Sequence, residues 1–251
     1  MLVMGILNVT PDSFADGGLH YEESLAITHG LEMIDDGVDI IDVGGESTRP
    51  GADRISEEEE QARVIPVIRE LAKKGVAISV DTMRATTAKL AVEAGATIVN
   101  DVSGGAADPD MFSTVAKLGC KYTLMHWRGH SKDMNSKAIY EDVVVDVIQE
   151  VTIQLDKAIA AGIKRENIIL DPGIGFAKDA EHNWAIIDSI DRFVALGYPV
   201  LVGASRKRFL GGDSPDEREA ATIELTKRLG RTGVWAVRVH SVKPHKEVLS
   251  K

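Results

Sequence analysis

Short apolar runs of strand length alternate along the chain with longer segments whose apolar residues recur at helical spacing. The first run, residues 2–7, carries almost no polarity, as suits a strand covered on both faces in a parallel sheet. Asn8 stands where that run stops. Pro11 cannot donate to a sheet and forces extended backbone on Thr10, so the chain turns there into a loop ending at Gly17 and Gly18. Further strand-like runs lie at 38–43, 76–80, 96–99, 120–125, 167–170, 199–202 and 234–239. Between them, 22–36, 57–74, 84–94, 109–118, 141–161, 181–196 and 215–229 read as helices. In 57–74 a stripe of Ala62, Ile65, Ile68 and Leu71, with Val64 beside it, faces the core against charge.

The glycines are more regular still. Gly37, Gly75, Gly95, Gly119, Gly162, Gly197 and Gly233 each close a helix and precede a strand, where a left-handed residue is needed and glycine adopts it at least cost. Seven such returns imply eight strands. Strict alternation implies a parallel sheet; a doubly wound open sheet would satisfy it, but eight units favour closure. The expected fold is an α/β chain forming a single (β/α)8 TIM barrel, one domain over 1–251. Only 241–251 follow the last strand, room for a short or truncated eighth helix.

Composition narrows the function. At 251 residues the chain can bury a large core and matches the ~250 residues typical of this barrel. No apolar run approaches the ~20 residues of a membrane span, and no leader pattern precedes the first strand. The lone Cys120 excludes an internal disulfide and a cysteine-based zinc cluster. A cytoplasmic location is expected. A net charge of −10 argues against nucleic-acid partners, so an anionic small molecule would need a local cationic pocket.

Active sites of such barrels gather at the carboxyl ends of the strands. There the chain places Asn8, Asp42, Asp81, Asn100 with Asp101, His126, Asp171, Ser205-Arg206-Lys207, and Arg238 with His240. A single polar residue at a strand end reads as a cap or turn, the reading adopted for Asp101, Ser103 and Asp108. Eight on one rim read as a site. Asp81, Asn100 and Asp171 should point inward together, suiting a flat heterocycle with several N–H donors or, equally, a divalent metal. The stretch 203–208 and Arg238-Val239-His240 follow strands seven and eight, where this fold commonly binds phosphate. Arg208 reads as a surface or dimer charge. Loops one and two are glycine-rich, like mobile lids, with Phe14 at a tip.

Other residues are set aside. Cys120 begins a strand away from the rim. His20, His29, His130, His182 and His245 lack metal-ligand spacing and read as surface or helix residues, and 57–60 is acid complementing a helix dipole. No nucleophile-with-base arrangement is evident, which favours catalysis by positioning and charge.

Taken together, MGILNVTPDSFADGG, DIIDVGGESTRPG, SVDT, IVNDVSGG, LMHWRG, LDPGIGFAKD, EHNW, LVGASRKRF and VRVH make a chain that resembles the dihydropteroate synthases of the folate pathway, from Met4 to His240. LMHW and GASRKRF look most like actinobacterial members. The resemblance implies a transferase joining 4-aminobenzoate to 6-hydroxymethyl-7,8-dihydropterin diphosphate, with Mg2+ as cofactor and sulfonamides as competitors. It implies that Asp81, Asn100, Asp171 and Lys207 hold the pterin edge, with Met125 against its face. Arg238 would stack on the ring and, with His240 and Asn8, hold the diphosphate and its metal. Asp16 would steady a developing cation. Phe14, Thr48, Arg49, Pro50, Phe176, Ser205 and Lys207 would surround the aminobenzoate. It also implies a homodimer built through helices near the C-terminus.

Two features depart from the family pattern: Ser241 stands where an acid is usual, and the eighth helix is short. An inactive paralogue or a pterin-binding methyltransferase module would share much of this pattern. The latter has no diphosphate to hold, and Ser205-Arg206-Lys207 with Arg238-Val239-His240 speak against it.

Overall fold

Every described strand pairs in parallel with its neighbours, in the order β6-β5-β4-β3-β2-β1-β8-β7, and a bridge from Leu170 to Val200 joins the two ends of that order into a ring. The structure, a computed structural model, describes residues 1–10, 19–47, 54–130 and 134–250. The strands are β1 (Leu2–Asn8), β2 (Ile40–Gly44), β3 (Ala77–Asp81), β4 (Ile98–Asp101), β5 (Lys121–Met125), β6 (Ile168–Asp171), β7 (Leu201–Val202) and β8 (Ala236–Val239). The helices between and after them are α1 (Leu19–Asp35), α2 (Glu57–Ala72), α3 (Ala85–Glu93), α4 (Met111–Leu118), α5 (Val143–Ala160), α6 (Ala180–Asp188), α7 (Ile190–Val194), α8 (Glu217–Leu229) and α9 (Lys243–Leu249). The expected barrel is the observed one.

Several strands start later than the apolar runs, for a local reason. Gly37 sits at φ +83° and Gly95 at φ +119°, and the residues after them spend their N–H groups on the preceding helix. Val38 N bonds Met33 O at 3.0 Å and Ala96 N bonds Ala91 O at 2.9 Å, so neither is free for a ladder. β7 is two residues long; before it, Pro199 has no N–H but its carbonyl accepts from Leu170, and the Val200 carbonyl accepts from both Trp235 and Ala236. The segment expected as one helix over 181–196 breaks at Ser189 into α6 and α7. The short C-terminal helix is α9.

Adjacent strand residues point to opposite sides. Ile41, Val99, Ile168 and Leu170 join the large core between barrel and helices, whereas Met4, Ile40, Ile98, Ile169, Leu201 and Ala236 form an apolar plug of their own inside the barrel. α2 faces the core through Val64, Ile68 and Leu71 of the expected stripe, with Ile65 partly buried and Val67 added. Ala62 is exposed, and the rotation buries Glu60 and Arg63. Glu60, expected to complement the dipole from the surface, instead accepts from Arg84 Nη1 at 2.7 Å and Thr87 Oγ1 at 3.0 Å.

Candidate active site

Directly above the apolar plug, the inward positions turn polar. Two residues on from Ile40, Ile98, Ile169 and Ala236 stand Asp42, Asn100, Asp171 and Arg238, so one period-two step on each strand converts floor into site. Asp42 is wholly buried, and its Oδ2 accepts from Asn100 Nδ2 at 3.0 Å and Arg238 Nε at 2.6 Å. Arg238 Nη2 donates to Asp81 Oδ2 at 2.7 Å, and Asp81 lies beside Asn100 in the β3–β4 register. Residues from four strands thus form one network.

Burial sets its charges. Desolvation pushes the Asp81 carboxyl up to about 7 against the pull of Arg238, with Asp42 adding to the rise. Burial opposes the Arg238 charge too, but Asp42 and Asp81 together hold the guanidinium above its ordinary value. Asp171 is raised by burial, opposed by the Gly173 N–H, which donates to its Oδ1 at 2.7 Å, and by Lys207.

Lys207 enters from the loop after β7. Its Nζ donates to the Ile174 carbonyl and lies 4.7 Å from the centre of the Phe176 ring. Burial lowers its amine to about 8, with Asp171 opposing. A Cβ on Gly175 would stand 2.6 Å from Lys207 Cδ, so glycine is what lets the lysine pass. Met125 is buried at the end of β5, opposite Asp171 in register, and Asn8 ends β1 half-buried opposite Gly44. Ser205, also buried, ties the last two loops together: its Oγ accepts the His240 N–H at 3.3 Å and lies 3.0 Å from His240 Nδ1. This hydroxyl–imidazole pair was not legible in the sequence. With the oxygen already engaged by the His240 backbone, it acts as a strap between loops.

The structure therefore brings together Asn8, Asp81, Asn100, Met125, Asp171, Phe176, Ser205, Lys207, Arg238 and His240 at one end of the barrel. Phe14, Asp16, Thr48, Arg49 and Pro50 lie outside the described residues. Asp101 and Asp108 behave as caps: Asp101 accepts from Ser103, Gly105 and Tyr122, and Asp108 accepts the Ala85 N–H at 2.8 Å. Arg206, grouped with the phosphate loop by sequence, sits at φ +58° and pairs with Glu219 at 2.6 Å. Ser241 donates to the same glutamate, so a carboxylate does stand beside position 241, supplied by α8. His245, expected among surface or helix residues, is helical but fully buried, with Nδ1 2.8 Å from Thr226 Oγ1. Arg208 is exposed, as expected. Cys120 is half-buried against the core, its thiol pushed up to about 11 by burial.

Asp42 and Lys178 carry weight that no sequence signal assigned them. In the sequence Asp42 is one polar strand end among eight. Lys178, two residues before α6, carries no such signal in the sequence, and the fold buries it.

Among the described residues no cluster of three or more His, Cys, Asp or Glu could hold a metal. Asn8, half-buried at the end of β1, offers a single amide oxygen at the rim, a donor type that a hard divalent cation accepts.

The pterin binding enzyme family matches residues 4–240. The dihydropteroate synthase of Mycobacterium leprae is 46% identical over 257 residues, spanning 98% of this chain and 90% of that protein. That of Bacillus subtilis is 49% identical over 246 residues, spanning 96% and 84%. The solved Xanthomonas albilineans dihydropteroate synthase with 4-aminobenzoic acid superposes with a TM-score of 0.93 at 39% identity, covering 99% of this chain and 90% of that one. The chain belongs to the pterin-binding enzymes, among the dihydropteroate synthases.

Proposed function

We propose that the chain joins 4-aminobenzoate to 6-hydroxymethyl-7,8-dihydropterin diphosphate, releasing 7,8-dihydropteroate and diphosphate, with the residues in the following roles. The observation that carries the reading is the set of buried Asp81, Asn100 and Asp171 with half-buried Lys207 and Arg238, stacked on the apolar plug. Acceptors from Asp81, Asn100 and Asp171 match the N–H donors along a pterin edge, and Lys207 supplies a donor to its acceptors. Met125 lies against one face of the ring and Arg238 against the other, and a planar guanidinium stacks well on a flat heterocycle. Arg238 and His240 hold the diphosphate, with Asn8 reaching its Mg2+. When bound, that ion neutralises charge on the departing diphosphate.

The C–O bond between the pterin methylene and the diphosphate breaks, its electron pair leaving with the diphosphate. The methylene cation left behind is stabilised by the pterin. The neutral aryl amine of 4-aminobenzoate attacks it and then loses a proton. A neutral amine needs no strong base, in keeping with a site whose ionisable groups are engaged in holding rather than in proton abstraction. Phe176, Ser205 and Lys207 border the aminobenzoate, together with Phe14, Thr48, Arg49 and Pro50, and Asp16 steadies the cation. Sulfonamides, as aminobenzoate analogues, compete there.

The deciding experiment is diphosphate release from dihydropterin diphosphate and Mg2+, with and without 4-aminobenzoate. Release that depends on aminobenzoate, with dihydropteroate appearing in step, supports the reading. Pterin binding without release identifies an inactive copy, and loss of binding overturns the reading altogether. Omitting Mg2+ from the same assay tests the metal. The family resemblance supports a homodimer, which sedimentation equilibrium tests. A cytoplasmic location fits a chain in which no described helix is long and apolar enough to cross a membrane; fractionation tests it.

A further inference from the structure

Behind Phe176 lies a charged group that the proposed chemistry does not use. Lys178 is buried, and its Nζ has three partners: the Gly173 carbonyl at 3.0 Å, the Phe176 carbonyl at 3.0 Å and His126 Nδ1 at 2.9 Å. Burial lowers its amine to about 7, with Asp171 opposing; protonated, it has three donors and no acceptor, and these contacts satisfy it completely. They also fix the histidine. Nδ1 must accept, which places the imidazole proton on Nε2, and Nε2 lies 2.9 Å from Glu150 Oε2. Arg128 neutralises Glu150 from the other side, through Nη2 at 2.5 Å and Nε at 3.0 Å. Burial, aided by Lys178, lowers His126 to about 4 and keeps it neutral at physiological pH, consistent with that tautomer.

The carbonyls gathered by Lys178 bracket the loop between β6 and α6. Within that bracket are Ile174, whose carbonyl accepts from Lys207, and Phe176, whose ring lies beneath the same ammonium. The loop winds through left-handed backbone at Gly173, Gly175 and Ala177, so it has little helical or sheet hydrogen bonding of its own. The Phe176 N–H closes a turn on the Gly173 carbonyl at 3.1 Å, Tyr140 and Asn183 hold the Ala177 carbonyl and the Gly175 N–H from outside, and Lys178, from within the loop, caps the Gly173 and Phe176 carbonyls.

We propose that Lys178, oriented by His126, is a positioning residue: it ties the Gly173–Phe176 turn to His126 at the end of β5 and so sets the wall that presents the Phe176 ring and the Ile174 carbonyl to Lys207. This rests on the function proposed above, in which Phe176 and Lys207 border the aminobenzoate. The effect falls most on that substrate, because Asp81, Asn100 and Arg238 hold the pterin from strands; Lys207, which also meets the pterin, carries a smaller share of the effect to it through the Ile174 carbonyl.

Steady-state kinetics with each substrate varied in turn test it. Lys178→Met should raise the KM for 4-aminobenzoate about tenfold or more, the loss expected from a charge-assisted contact. The KM for the pterin diphosphate should move by less than about threefold. Should Lys178→Met fail to fold, His126 decides. His126→Gln keeps an oxygen that can accept from Lys178 and should stay near the wild type, whereas His126→Leu should reproduce the aminobenzoate defect. Equal rises in both KM values, an unchanged aminobenzoate KM, or a His126→Leu variant matching His126→Gln would overturn the positioning role. A wild type with no turnover would instead overturn the function on which it rests.

Discussion

Arg238 on the last strand reaches Asp42 on the second, Nε to Oδ2 at 2.6 Å, across 196 positions of sequence. The pair closes the barrel's polar layer, since β8 lies against β1 and the same carboxylate oxygen also holds Asn100. Removing the carboxylate leaves the guanidinium paired with Asp81, with the Asp171 charge also acting on it. Asp42→Ala should cost about 3–5 kcal/mol of stability, the range for stranding one member of a buried pair. Urea unfolding measures it, and a loss near zero would mean that water replaces the pair at no cost.

Lys207 is the cation whose loss should be felt most in turnover. Lys207→Ala should retain the fold and lower kcat/KM at least tenfold, from ~1.5–3 kcal/mol of charge-assisted hydrogen bonding. Near-normal turnover in a correctly folded variant would remove it from the mechanism.

The pH profile follows from burial. Asp81, pushed up to about 7, must be ionised to accept from the pterin, and Lys207, lowered to about 8, must be protonated to donate. The kcat/KM for the pterin diphosphate, which reports free-enzyme groups, should rise to about pH 7 and fall above about pH 8. Asp81→Asn should lose the acid limb while keeping the alkaline one.

Stability moves differently across the same groups. The folded chain binds more protons at Asp81 than the unfolded chain between its ordinary 3.8 and about 7, so the Asp81 contribution is present at low pH and is lost as pH rises through that window. At Lys207 the folded chain binds fewer protons between about 8 and 10.5, and its contribution grows with pH there. Urea midpoints followed from pH 4 to 7 should fall less in Asp81→Asn than in the wild type.

Tyr122 offers a purely structural control. Its hydroxyl donates to Asp101 Oδ2 at 2.7 Å, and both residues are wholly buried on the helix side of the sheet. Tyr122→Phe should destabilise by about 1–3 kcal/mol through the acceptor it leaves under-satisfied. Turnover should not change, and a marked fall in kcat would tie this cap to the site after all.

Much of the architecture was legible because its signals are local. Glycine after each helix, apolar runs of strand length and polar residues where those runs end are properties of neighbouring residues, and they led to the barrel, its short last helix and most of its rim. Gly37, Gly75, Gly95, Gly119, Gly162, Gly197 and Gly233 all adopt positive φ, as their places after helices required. The family resemblance added roles, but even without it Asp81, Asn100 and Asp171 were directed inward by strand position.

What the tertiary structure decided are pairings between residues far apart in the chain. Nothing near Glu60 marks it as buried; the rotation of α2 against the core put it beside Arg84. Arg206 and Lys207 are adjacent and chemically alike, yet the left-handed turn at Arg206 sends one to Glu219 and leaves the other against Phe176. Lys178 and His126, 52 positions apart, meet only because the loop after β6 folds back on the end of β5. Periodicity records which face a residue takes on its own element. Desolvation and ion pairing depend on the other elements that close over it, and those enter only when the ring of strands is complete.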